Sequence, residues 1–175
     1  MPFDIIHFRG SEAILRKKHL VRDVQTTLAY IEEALSGAIY KRELTNMALS
    51  EMGWREDASL LNILAGRRYA YAGFKKGVAL DCNLSSYEYL WTGLMRIQIG
   101  FDKGKLDTGI LALNGFRGER SSLGTSVQLA KIEVEELYPS ISCPCSVAFL
   151  YLGQPEIITE EEEAADGVSV STADK

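Results

Sequence analysis

The sequence is poor in the residues that hold metals or form disulfides. Its 175 residues include two histidines and three cysteines, the latter at Cys82, Cys143 and Cys145. Three cysteines cannot pair completely, and the spacing Cys143-Pro144-Cys145 is too short for a zinc knuckle without a second ligand pair elsewhere. We therefore expect reduced thiols, with neither a disulfide framework nor a zinc site.

Long apolar runs are also missing. No stretch approaches the roughly 20 consecutive apolar residues that a membrane-spanning helix needs. The start, Met1-Pro2-Phe3-Asp4, has no basic segment followed by the apolar run of a signal peptide. The sequence predicts a protein without a membrane partner, with the cytoplasm as its default location. With 46% hydrophobic residues, the chain is long enough to bury a core.

Negative charge is concentrated at the end of the chain. Six acidic residues and one lysine lie from Glu160 onward, so this segment carries the whole net charge of -5 and residues 1–159 are neutral. The sequence predicts one domain over residues 1–155 and an acidic, disordered tail over residues 156–175, which has little to bury. A neutral domain neither supports nor excludes nucleic-acid binding, because charges can still cluster on one face.

Hydrophobic periodicity divides the chain into helices and strands. The expected helices cover residues 21–36, 41–52, 87–101 and 127–137. The expected extended segments cover residues 3–8, 67–73, 77–83, 107–113 and 146–152. Strands and helices alternate from residue 77 onward, which predicts an α/β fold with crossovers and a buried, partly parallel sheet.

Two groups of apolar residues need a surface to pack against. The first forms one face of the first long helix and consists of Val24, Leu28, Ile31 and Leu35. This face must be buried against the sheet or against a second subunit, and the pattern leaves both open. The second group is aromatic and is interpreted as packing residues rather than base-stacking platforms: Trp54, Tyr69, Tyr71, Tyr87, Tyr89 and Trp91.

The apolar segment that begins at Val78 ends in a carboxylate and an amide, Asp81 and Asn83. Alternation along a strand puts these two side chains on the same face. Such a pair suits a hard divalent cation with a water beside it. Many strands nevertheless end in Asp and Asn that only cap a turn, so the pair alone does not establish a site.

The order of motifs around this pair is more specific. In chain order they are Gly53-Trp54, the segment Gly77 to Asn83, a tyrosine-rich helix, the segment Gly104 to Ile110, Ser121-Ser122, a helix ending in Glu135-Glu136-Leu137-Tyr138, and a strand running to Leu152-Gly153. This succession, over roughly residues 20–153, resembles the BglII/BstYI-like type II restriction endonucleases of the PD-(D/E)xK nuclease superfamily. The resemblance implies a restriction-endonuclease-like mixed central sheet flanked by helices, Mg²⁺-dependent hydrolysis of double-stranded DNA, and a homodimer.

The resemblance also implies roles for individual residues. Asp81 would be a metal ligand, the backbone carbonyl of Cys82 a second ligand, and Asn83 would orient the attacking water. The first carboxylate of the family motif is missing, because the corresponding position is Ala72. Loss of one of two carboxylates weakens a Mg²⁺ site and slows the reaction, since single electrostatic groups are often worth roughly 10²–10³ in rate.

The sequence therefore does not decide whether the chain is an active enzyme. Glu88, Glu32 or Glu33 would be the candidates to replace the missing carboxylate. We expect either a weakened Mg²⁺-dependent endonuclease or a nuclease-fold protein that binds DNA or a partner subunit without cutting. A scaffold with no nucleic-acid role is a third alternative, in keeping with the neutral domain.

Candidate DNA-binding residues lie in three segments: Lys75 and Lys76 at a turn, Ser85 and Ser86 after the Asp81 strand, and Arg117, Arg120, Ser121 and Ser122 in a loop. The loop is the preferred recognition element, because an arginine bound to guanine is the commonest specific base contact. For all three segments an exposed loop without a partner is the alternative.

Overall fold

A computed structural model describes residues 3–66, 69–116 and 124–152 and places five strands in one sheet. The strands are β1 (Phe3–Phe8), β2 (Gly73–Lys75), β3 (Val78–Asn83), β4 (Thr108–Asn114) and β5 (Cys145–Leu150), in the spatial order β1-β5-β4-β3-β2. The two central pairs, β3 with β4 and β4 with β5, are parallel, and the outer pairs are antiparallel. The mixed α/β sheet predicted from the sequence is confirmed.

Six helices accompany the sheet in the described ranges. They are α1 (Ser11–Lys17), α2 (Val21–Leu35), α3 (Lys41–Glu51), α4 (Ala58–Leu61), α5 (Tyr89–Asp102) and α6 (Ser126–Glu136). Each of them is too short or too polar to span a lipid bilayer. The long helices begin and end within a few residues of the predicted boundaries, whereas the short helices α1 and α4 have no clear hydrophobic period and were not predicted.

The sheet separates two apolar layers because neighbouring side chains of a strand point to opposite faces. On one face, α5 and α6 pack over a layer that includes Ala79, Leu111 and Phe149. On the other face, α2 and α3 pack over a layer that includes Leu80 and Ile110. The alternation along β3 therefore directs the odd-numbered residues 79, 81 and 83 toward the α5 face.

The apolar face of α2 is buried against the sheet. Val24, Leu28, Ile31 and Leu35 are all fully buried in the same layer as Leu80. Trp54 lies in this layer too, and its Nε1 donates a 2.9 Å hydrogen bond to Thr27 Oγ1 on α2. Of the two alternatives left open by the pattern, the sheet provides the partner surface.

The extended segment predicted over residues 67–73 is wrong in its described part, because only Gly73 belongs to the sheet. Residues 69–71 instead pair with the chain that follows α4: Tyr71 N donates to Leu61 O at 2.8 Å, and Ala70 forms an isolated bridge with Asn62. Local pairing with this nearby segment competes with extension of β2. It also brings residues 69–72 to the carboxyl end of β3.

The aromatic residues divide into two groups. Trp54, Tyr71 and Tyr87 are buried, as predicted, but Tyr69 is 56% exposed and Trp91 is 59% exposed. The packing interpretation is therefore wrong for Tyr69 and Trp91. Helical spacing alone does not distinguish the buried face of α5 from its exposed face, because large apolar residues occur on both: Leu94 is buried, whereas Trp91 and Met95 are exposed.

Candidate functional site

A cleft of about 480 Å³ opens at the carboxyl end of β3. Its walls come from the first turns of α3, from Arg55, from residues 69–72, from residues 81–85 and from α5. Asp81 and Asn83 both line this cleft, as the alternation along the strand predicts. Ala72, Cys82 and Ser85 line it as well.

Asp81 lies at the base of the cleft and is only 3% exposed. Its Oδ1 accepts a 3.1 Å hydrogen bond from the N–H of Cys82, and its Oδ2 accepts a 3.1 Å hydrogen bond from the hydroxyl of Tyr89. Burial raises the pKa of Asp81, and the neighbouring Arg96 guanidinium opposes this change. Both carboxylate oxygens are thus engaged within the protein.

Arg96 supplies the positive charge beside this carboxylate. Its Nε lies 3.0 Å from Asp81 Oδ2, but the Nε–H makes no hydrogen bond within the described residues, so the contact is an ion pair with poor hydrogen-bond geometry. The other guanidinium nitrogens donate to the Tyr89 hydroxyl, at 2.6 Å, and to the carbonyl of Ala70. Arg96 is therefore held at three points around Asp81.

Helix α5 positions Arg96 and Tyr89 together. They are seven residues apart, which is close to two helical turns, so they project from the same side of the helix. The hydroxyl of Tyr71 donates a 2.8 Å hydrogen bond to the main-chain carbonyl of Arg96 and fixes the helix against the cleft wall. Burial, with the nearby Asp81 carboxylate, raises the pKa of Tyr89 to about 12, so its hydroxyl stays a donor at neutral pH.

Ala72 lies across from Asp81. The antiparallel register pairs Gly73 with Leu80, and one further residue along each chain brings Ala72 opposite Asp81. The main chain of Ala72 is near enough to Asp81 to lower its pKa slightly, and its carbonyl accepts a 2.5 Å hydrogen bond from Arg55 Nη1. Ala72 itself lines the cleft and also contacts the apolar layer that contains Leu80, and its methyl group offers no ligand.

Asn83 and Cys82 are also committed to local interactions. Asn83 Oδ1 accepts a 3.0 Å hydrogen bond from the N–H of Ser85, so this amide caps the turn after β3. Desolvation raises the pKa of the Cys82 thiol to about 12, so the sulfur is protonated at neutral pH and is a poor nucleophile.

These residues do not fit a divalent cation. Among the described residues that line the cleft, Asp81 is the sole carboxylate, and the Arg96 guanidinium forms an ion pair with it. No cluster of three or more histidine, cysteine, aspartate or glutamate side chains suited to a metal occurs in the described ranges. Of the three glutamates considered as replacements, Glu32, Glu33 and Glu88, none lines the cleft. A Mg²⁺ ion prefers several oxygen ligands in octahedral geometry, which this donor set does not supply.

The cleft is rich in positive charge instead. Among the described residues that line it, four are basic, Lys41, Arg42, Arg55 and Arg96, and one carries a carboxylate, Asp81. Within residues 3–66, 69–116 and 124–152, no ion pair or hydrogen bond engages the charged groups of Lys41 and Arg42. The cleft therefore has a net positive charge with two unpaired cations on α3, an arrangement suited to an anionic ligand.

Of the predicted DNA-binding residues that fall within the described ranges, Ser85 alone lines the cleft. Ser85 is exposed in the cleft, whereas the Ser86 hydroxyl accepts a 3.1 Å hydrogen bond from the N–H of Glu88. Lys75 forms a 2.7 Å ion pair with Asp23, and Lys76 is exposed in the β2–β3 turn, at the other end of β3 from the cleft. Arg117, Arg120, Ser121 and Ser122, like the predicted tail over residues 156–175, lie outside the described residues.

Sequence reasoning missed the basic residues of the cleft. One signal was available for Arg96, which is the only charged residue in the apolar stretch of α5 from Tyr89 to Phe101. A lone charge on a helix packed against a sheet needs a buried partner, and Asp81 was the obvious carboxylate. Lys41 and Arg42 gave a weaker signal, as adjacent cations at the start of a helix.

Comparison with known proteins bears on the fold. No family model matches the sequence, and no curated protein matches it. Among solved structures, the restriction endonuclease BglII complexed with a DNA 16-mer matches with a TM-score of 0.59 and 15% identity, over 87% of this chain and 78% of that chain. Free BglII matches with a TM-score of 0.54 and 16% identity, over 87% and 81% of the two chains. The mixed sheet and its flanking helices thus form a restriction-endonuclease-like fold, as the sequence predicts.

Proposed function

We propose that this chain is a nuclease-fold protein that binds DNA in the cleft at the end of β3 and does not cut it by metal-dependent hydrolysis. The observation that carries the proposal is the ion pair between Arg96 and Asp81. The Arg96 guanidinium lies beside the Asp81 carboxylate, at the place where a hydrolytic site of the restriction-endonuclease kind would hold a metal ion.

Charge supports a phosphate-containing ligand. Among the described residues, the charged groups of Lys41 and Arg42 have no partner, and Arg55 Nη1 donates a hydrogen bond to the carbonyl of Ala72. Cations that face solvent in a concave site attract phosphates and release counterions when they bind. The similar solved structure of BglII contains a DNA 16-mer, which makes DNA the first ligand to test.

The test is fluorescence anisotropy with a labelled DNA duplex, titrated with protein at several salt concentrations in EDTA. If three cations contact phosphates, a plot of the logarithm of the binding constant against the logarithm of the salt concentration should have a slope of about -3. The double variant K41A/R42A is expected to weaken binding and to reduce that slope by about 2. The matched control K103A/K131A removes two exposed charges that do not line the cleft and should leave both quantities unchanged.

Cleavage is tested in parallel with supercoiled plasmid DNA in Mg²⁺ or Mn²⁺. We expect no nicking above background, because no second carboxylate lines the cleft in the part of the chain that the structure describes. Metal-dependent nicking that is lost in D81N would overturn the non-cleaving proposal and favour the endonuclease alternative.

The homodimer that the family resemblance implies stays a proposal of its own. The apolar face of α2 does not supply its interface, because the sheet covers that face. Sedimentation of the protein with and without duplex DNA distinguishes one chain from two.

A further inference from the structure

We propose that the cleft receives an unpaired nucleotide of the bound nucleic acid, whose base stacks on Tyr69 while its phosphate lies against the cations of α3. This inference rests on the proposed function and specifies which part of a DNA molecule enters the site. It requires an aromatic face, a cationic wall and a volume of suitable size in one cavity.

Tyr69 provides the aromatic face. It lines the cleft and is 56% exposed, and its ring makes no aromatic or cation–π contact within the described residues. Its side-chain hydroxyl has no hydrogen-bond partner in the same ranges. Because the ring is exposed, its apolar face is not covered by the protein. This face is available for stacking against a flat ligand that enters the cleft.

The backbone around Tyr69 is held in place although the ring is exposed. The carbonyl of Tyr69 accepts a 2.9 Å hydrogen bond from the N–H of Ile63, and the N–H of Tyr71 donates to Leu61 O at 2.8 Å. The bridge between Asn62 and Ala70 lies between these two bonds. The ring is thus displayed from a fixed main chain, which lowers the entropy cost of stacking a ligand on it.

The cationic wall is formed by Lys41 and Arg42 on α3, with Arg55 beside Ala72. The amide groups of Asn46 and Asn83 line the same cavity and can form hydrogen bonds with the polar edge of a base. A volume of about 480 Å³ falls within the range of about 300–1,000 Å³ that is usual for small-ligand sites. These dimensions suit one nucleotide.

An unpaired nucleotide fits this combination better than a paired one. Inside a duplex each base is stacked on its neighbours and presents no free face to a side chain, so a protein reaches it only when it is extruded or single-stranded. Aromatic side chains beside a positively charged groove are the usual means of binding single-stranded nucleic acid without sequence preference. The phosphate contacts alone would not require Tyr69.

The test compares three fluorescent probes of one sequence: a fully paired duplex, the same duplex with a five-nucleotide single-stranded overhang, and the single strand. We expect the unmodified protein to bind the two probes with unpaired nucleotides more tightly than the paired duplex. Y69A should weaken binding of those two probes by about 5- to 150-fold, the range typical of one base stacked on an aromatic side chain. Y69A should leave affinity for the paired duplex unchanged, and Y69F should retain affinity for all three.

The outcomes separate this inference from the proposed function. If K41A/R42A weakens binding of every probe but Y69A weakens none, DNA binding stands and the stacking role of Tyr69 is overturned. If Y69F loses as much affinity as Y69A, a hydroxyl contact acts instead of stacking, which also overturns it. If K41A/R42A binds every probe as the unmodified chain does, the proposed function itself fails. Thermal unfolding of Y69A should match the unmodified chain, because the ring is exposed.

Discussion

The guanidinium of Arg96 lies beside the carboxylate of Asp81, with 3.0 Å between Nε and Oδ2, although fifteen residues of chain separate them. Asp81 ends a central strand and Arg96 comes from the helix that crosses over to the next one. The pair therefore depends on the crossover being formed. A substitution that breaks this ion pair should therefore change both the stability of the fold and the charge of the cleft.

Breaking this pair should be costly. R96M leaves a buried carboxylate without its counter-charge, and we expect it to lower the free energy of unfolding by about 3 kcal/mol, at the low end of the usual range because Arg96 is partly exposed. Urea denaturation at pH 7 measures the change. The double variant D81N/R96M removes both charges and should recover most of the loss, and a double variant as unstable as R96M would show that packing by Arg96, rather than charge, is responsible.

The same variants have a distinct pH dependence. Burial raises the pKa of Asp81, and loss of Arg96 raises it further. A carboxyl group whose folded-state pKa is raised contributes stability at low pH, and that stability is lost as pH rises through the folded-state pKa. R96M should therefore gain stability, relative to the unmodified chain, as pH falls from 7 toward 4. D81N/R96M should show no such gain.

Adding a second carboxylate to the cleft should create a metal site. Ala72 and Asp81 line the same cleft, so A72D adds a second carboxylate to it. In A72D/R96Q the competing guanidinium is gone as well, and we expect Mn²⁺ binding detectable by calorimetry or electron paramagnetic resonance. A72N/R96Q is the matched control of similar size without the added charge. Equal Mn²⁺ binding by this control and by A72D/R96Q would mean that position 72 is not where the missing ligand belongs.

A72D alone is expected to show some cleavage of duplex DNA in Mg²⁺, above that of the unmodified chain. The gain should be smaller than for A72D/R96Q, because Arg96 still competes with the metal for Asp81. Plasmid nicking followed over time measures both rates. No activity in either variant would place the defect elsewhere in the cleft.

The arginines of the predicted recognition loop, Arg117 and Arg120, give a separate prediction about specificity. If either contacts a guanine, its replacement by alanine should cost about 1–3 kcal/mol with the preferred sequence and much less with unrelated DNA. Anisotropy titrations with a sequence library before and after substitution measure this difference. A uniform loss across all sequences would indicate phosphate contacts instead.

His7 should make the fold sensitive to mild acid. Its Nδ1 lies 2.8 Å from the Ser146 hydroxyl, within a buried hydroxyl network, and burial lowers the pKa of His7 despite the nearby Glu12. A histidine with a lowered folded-state pKa contributes stability above its unfolded pKa of about 6.5, and that stability is lost as pH falls through the folded value.

Thermal unfolding between pH 7.5 and pH 5 measures this effect. The unmodified chain should lose stability as pH falls below about 6.5, and H7N, which cannot be protonated, should lose less. H19N is the matched control, because His19 is exposed in a left-handed turn that asparagine tolerates. An H7N curve parallel to that of the unmodified chain would assign the acid sensitivity to another group.

How far the sequence predicts the structure differs between the fold and the site. Helix α2 and strand β3 were predicted closely, because long amphipathic and apolar segments carry their own periodic signal. The position of Asp81 and Asn83 in one cleft also followed from alternation along a strand. The partner of Asp81 did not, since Arg96 reaches it only through the crossing of α5 over the sheet.

The exposure of Tyr69 could not be predicted for a similar reason. Its surroundings in sequence suggest a strand, but pairing of Ala70 with Asn62 removes this segment from the sheet. Whether an aromatic residue is buried then depends on where a short irregular segment passes, which local pattern does not encode. The same limit applies to Lys41 and Arg42, whose role depends on what α3 faces.

The guanidinium of Arg96 is covalently part of the protein and cannot dissociate from it, unlike a bound metal ion. A site that recruits magnesium is empty or filled according to the supply of that ion in its surroundings, and chelators switch it off. The pocket beside Asp81 is filled by the Arg96 side chain itself, so the DNA binding proposed for Lys41 and Arg42 would need no divalent ion and would respond chiefly to monovalent salt.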